Sequence, residues 1–111
     1  MDLLVELDRK RQILNQKMND SVKAGMKLAQ AEHDYRVCLK QNVLKLEAEG
    51  YKVTTINLII YGIEEVADKR LERDKAQVLY DANKDAINSC KLELKLLEAQ
   101  INREWGSYGS I

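Results

Sequence analysis

The chain has 111 residues, and its eighteen Lys and Arg balance eighteen Asp and Glu, so the formal net charge is zero. That balance excludes a globally basic nucleic-acid binder and an acidic tail protein. With no Pro, no Phe, five Gly and 32% charged residues, the composition suits long solvated helices and disfavours a sandwich or barrel, which needs many turns.

Targeting and redox signals point to an intracellular, reduced protein. The opening Met1-Asp2-Leu3-Leu4-Val5-Glu6 is interrupted by acids and lacks the apolar region of a signal peptide. Leu58-Ile59-Ile60-Tyr61, the longest apolar run, is far too short to span a bilayer. Two cysteines, Cys38 and Cys90, are too few for a disulfide framework.

In chain order, the first predicted element is a long helix over residues 2 to 49. Leu3, Leu7, Leu14, Met18, Leu28, Tyr35, Leu39 and Leu46 recur at three-, four- and seven-residue steps, which is one face of an amphipathic helix. Gly25 costs about 1 kcal/mol against Ala inside a helix, unless it marks a close crossing. Glu49-Gly50-Tyr51 reads as the stop, with Gly50 in the left-handed position that ends many helices.

A connector over 50–62 follows. Thr54 or Thr55 is expected to cap a short helix through Ile56 to Tyr61, ended by Gly62. A strand is disfavoured because no second strand exists to pair with it. The last element is a helix over 63–105, with Glu64, Glu65 and Asp68 in its first turns and Arg103 in its last, as the helix dipole favours. Residues 106–111, Gly-Ser-Tyr-Gly-Ser-Ile, read as a flexible tail.

Two helices of similar length joined by a short connector predict an all-α fold, an antiparallel, coiled-coil-like hairpin over 1–105. Placing Glu49 opposite Ile63 pairs Leu7 with Trp105 and Tyr35 with Gln77-Val78. On the last helix, Tyr80, Ile87, Cys90, Leu94, Leu97 and Ile101 form a heptad-like stripe. Leu71, Val78, Ala82, Leu92 and Leu96, with Ala67, fall on nearly the opposite side. One hairpin buries only one of these sides, so the second predicts a homodimer or higher oligomer, as a helical bundle. The alternative is scattered surface aliphatics, which are common.

Catalytic patterns are absent. His33, between Glu32 and Asp34, has no matched nucleophile or Gly-rich turn and reads as a surface histidine. There is no phosphate loop, dinucleotide fingerprint or zinc-helix motif, no metal-ligand spacing around either cysteine, and so no cofactor to expect. Two surfaces are candidates for binding instead. Arg9-Lys10-Arg11, with Arg103 and Trp105 in the hairpin register, could grip a phosphate backbone or nucleotide. Glu6, Asp8 and Glu104 dilute that charge. Ile56, Leu58, Ile59, Ile60 and Tyr61 cannot all point inward on one short turn and form a candidate protein contact. Arg73-Asp74 and Asp81 could form a polar network that sets register or oligomeric state.

Certain strings carry a resemblance: Tyr35-Arg36-Val37-Cys38-Leu39, Glu49-Gly50-Tyr51-Lys52-Val53-Thr54, Glu65-Val66-Ala67, Leu71-Glu72-Arg73-Asp74, and Lys91 through Ile101. Over roughly residues 31 to 105 the chain resembles small helical proteins of phages and prophages of Gram-positive bacteria. Members often have Ala or Lys where this chain has Cys38 and Tyr51. The resemblance implies a non-enzymatic phage accessory protein made in the host cytoplasm, with a host defence or replication component as its natural target. A nucleic-acid or nucleotide-phosphate binder and a structural or scaffolding coiled coil are the other readings.

Overall fold

A computed structural model describes residues 2–109, with side chains described to Gly106. The fold is all-α, with no strand among the described residues. Helix α1 spans Leu3–Ala48, α2 spans Val53–Ile59, a single 3-10 turn spans Ile60–Gly62, and α3 spans Glu64–Gly109. The long helices pack antiparallel as a hairpin: Lys10 meets Glu93, Gly25 meets Tyr80, and Tyr35 meets Arg73.

The ends of α1 follow from local chemistry. Asp2 Oδ1 accepts the Leu4 amide at 2.9 Å, satisfying one of the orphan donors at the helix start. At the other end Gly50 has φ +91°, the left-handed conformation that Gly adopts without a Cβ penalty. Its amide reaches the Glu47 carbonyl at 3.0 Å and the Tyr51 amide reaches Leu46 at 3.1 Å, the paired bonds of a Schellman stop. The expected stop is therefore in place.

The connector differs in detail from the expectation. Lys52, in an extended conformation and without a side-chain cap bond, precedes α2, so Thr54 and Thr55 lie inside the helix and cap nothing. Gly62 needs no left-handed backbone; the break before α3 is the extended Ile63 (φ −65°, ψ 126°). The Ile63 carbonyl then accepts the Ala67 amide at 2.8 Å, starting α3. At the far end α3 continues through Gly109, so residues 106–109 are helical where a tail was expected. Residues 110–111 lie outside the described residues.

Contacts group the chain into two compact units, Ala24–Tyr80 and Met1–Lys23 with Asp81–Ile111. In the first, Tyr35, Cys38, Leu46, Ile56, Ile60 and Val66 form the core, with Leu39, Val43 and Ile63 packed against it. Because Leu46 is committed to the connector, α3 pairs with earlier residues of α1 than a symmetric tip would give. Tyr35 lies against Arg73, one turn before the expected Gln77-Val78. In the second unit Cys90, Leu94, Leu97 and Ile101 are buried from α3, as the stripe predicted. Leu3, Leu7 and Leu14 are half-buried from α1, while Met18, expected on the same face, is exposed. The inward positions advance from Leu14 to Lys17 and Ser21, an unbroken three-four alternation that Met18 misses by one residue.

Candidate interaction surfaces

The connector divides its apolar residues between two faces. Ile56 and Ile60 are each 3% exposed and belong to the core. Their assignment to a partner contact is therefore corrected: four residues apart, they share the inward face of one helical turn. Leu58 lies on the other side at 85% exposure, with Ile59 and Tyr61 also exposed. Arg70 stacks over the Tyr61 ring at 5.4 Å from its centroid. Tyr51 and Val53 are exposed beside them in the chain, although the sequence pattern marks Tyr51 only as part of a helix stop. The alternation of apolar residues around Gly50 carries no signal of which ones a turn will expose.

The basic N-terminal run is largely neutralised. Lys10 Nζ donates to Glu93 at 3.1 Å and lies 3.7 Å from Glu6. The Glu93 hydrogen bond, ahead of the opposing cost of burial, raises the Lys10 pKa. Arg11 pairs with Glu98 at 3.7 Å. The expected register set Arg103 beside this run; the structure places the acids Glu93 and Glu98 against it. Arg9, Arg103 and Trp105 are exposed. Two of the three cations of the run are thus paired with acids of α3.

The outer stripe of α3 has the exposure its pattern predicts. Leu71, Val78, Leu92 and Leu96 are each more than half exposed, and Ala82 is exposed too. The hairpin leaves these side chains uncovered.

Polar groups near the inner faces have structural partners. The Arg73 guanidinium lies 4.6 Å from the Tyr35 ring centroid and donates through Nε and Nη2 to Asp74 Oδ1 at 3.1 and 2.9 Å. Arg36 bridges to Glu32 at 3.0 Å. His33 is exposed and sits 3.3 Å from Asp34; bonds from Gln30 and then His33 lower the Asp34 pKa. Both cysteines are free and buried. Burial, then the Glu65 carboxylate, pushes the Cys38 thiol up, which favours the protonated form over the nucleophilic thiolate.

Among the described residues no group of three or more His, Cys, Asp or Glu is placed to hold a metal ion, and no helix is long and apolar enough to cross a membrane. No protein-family model, curated protein or solved structure matches the chain.

Proposed function

We propose that this chain is a non-enzymatic helical binding protein, a phage-type accessory protein that works as a homo-oligomer and modulates a host defence or replication component in the host cytoplasm. The observation that carries the reading is the connector surface. Leu58, at 85% exposure, stands with Ile59, Tyr61, Tyr51 and Val53 on one short segment, while the neighbouring Ile56 and Ile60 anchor that segment in the core. Anchored backbone beneath exposed aliphatic and aromatic side chains is the arrangement of an interaction hot spot, with little ordering entropy left to lose on binding. The phage and host assignments rest on the sequence resemblance.

A photo-crosslinking residue placed at Leu58 tests the contact in the natural host, with the same residue at the exposed Asp20 as control. The reading expects one protein crosslinked from position 58, absent from position 20 and lost when Tyr61→Asp is added. Equal labelling from both positions overturns it.

A further inference from the structure

We propose that the outer face of α3 between Ala82 and Gly106 is a self-recognition surface, pairing antiparallel with the same face of a second copy about a two-fold axis at residue 94. The inference rests on the homo-oligomer reading and names its interface. It concerns only the unit of Met1–Lys23 with Asp81–Ile111.

Cys90, Leu94, Leu97 and Ile101 turn inward there. The outward positions 82, 85, 89, 92, 96, 99, 103 and 106 are all exposed and advance by alternating steps of three and four. That spacing is the seam of a second coiled-coil contact. Two-fold symmetry makes the surface self-complementary, so each residue faces the one mirrored across the axis, and each contact occurs twice.

Mirroring about residue 94 sets Leu92 against Leu96, Ser89 against Ala99, Asp85 against Arg103 and Ala82 against Gly106. The largest aliphatics meet at the centre. Small residues flank them and allow close approach. Opposite charges close the seam on both sides. Asp85 and Arg103 make no ion pair with a described residue of their own chain, unlike Lys10 and Arg11. A Cβ on Gly106 would meet nothing within 4 Å, so its surroundings are open.

Other registers lose this match. Moving the mirror half a heptad toward the N-terminus puts Leu96 against Asp85 and Leu92 against Ser89. Moving it the other way puts Leu92 against Arg103. On the edges of the central register Glu93 and Lys95 each approach their own counterpart, which opposes association. Glu93 is drawn to Lys10, and exposed Lys95 extends into solvent, so the dimer forms but is weak.

Sedimentation equilibrium on the full chain tests the proposal, with circular dichroism confirming that each variant stays helical. The wild type is expected to dimerise. Asp85→Arg or Arg103→Asp alone should weaken the dimer about tenfold, since two attractive pairs become two repulsive ones, and the double exchange D85R/R103D should restore it. Leu92→Lys should leave a monomer. A wild-type monomer at high micromolar concentration overturns both this interface and the oligomer reading. A dimer indifferent to the single reversals, or one the double exchange fails to rescue, overturns this interface and leaves the oligomer reading standing.

Discussion

The Tyr80 ring packs directly on Gly25: a Cβ built at Gly25 would meet Tyr80 Cε1 at 3.3 Å. The glycine in the middle of α1 thus accommodates an aromatic ring from α3, a side-chain crossing and not a backbone one. Two opposed effects act on Gly25→Ala. The helix gains about 1 kcal/mol of propensity, and the half-buried ring must give way by a few tenths of an ångström. The expected net change is within about 0.5 kcal/mol of zero, whereas Gly25→Leu overpacks and costs about 1–3 kcal/mol. Urea denaturation with unchanged slope checks both.

The connector should separate core from surface in a single short segment. Ile56→Ala removes a side chain that is 3% exposed and should cost about 2–4 kcal/mol. Leu58→Ala, two residues away, should change stability by less than about 0.5 kcal/mol. Comparable losses at the two positions would contradict the observed orientation of α2.

Gly50 is the position where backbone conformation dictates residue type. At φ +91°, Gly50→Ala places a Cβ in the left-handed region and should cost about 1 kcal/mol, although nothing crowds that Cβ. Thermal melts should show the loss, while Gly62→Ala, without positive φ, should not reproduce it.

Arg73 and Tyr35 form a cation–π contact between α1 and α3 in the Ala24–Tyr80 unit. Arg73→Met keeps the aliphatic stem but removes the charge over the ring, for an expected loss of about 0.5–1 kcal/mol. A double-mutant cycle with Tyr35→Leu should return a coupling of that size; zero coupling would show that the stacking adds nothing.

The buried Cys38 thiol gives a pH-dependent readout. The Cys38 thiol is raised by burial, so the folded chain holds its proton at pH values where the unfolded chain has lost it. Its contribution to stability is complete below the unfolded thiol pKa and is lost as pH rises through the folded value. A thiol reagent at neutral pH should label Cys38 and Cys90 far more slowly in the native protein than in urea. Rapid native labelling of both would contradict their burial.

Much of the fold was legible because it depends on local and periodic signals. Apolar spacing announced both long helices, Gly50 announced the stop after α1, and the absence of Pro kept the helices unbroken. The inward stripe of α3 and its uncovered opposite side were readable for the same reason: in a helix, face follows from residue number. The candidate surfaces were less legible. Nothing near Lys10 in the chain reveals that Glu93 neutralises it, because that contact depends on register.

Residue spacing alone therefore determined that this protein is an antiparallel helical hairpin and which sides of its long helices are greasy. Tertiary structure decided the register, the division of the connector into buried Ile56 and Ile60 and exposed Leu58 and Tyr61, and the pairing of Lys10 and Arg11 with Glu93 and Glu98. The physical reason is that a three-four repeat matches itself at every heptad shift. Contacts between residues distant along the chain, such as Leu46 with Val66 in the core and the Tyr80 ring on Gly25, distinguish one shift from the rest.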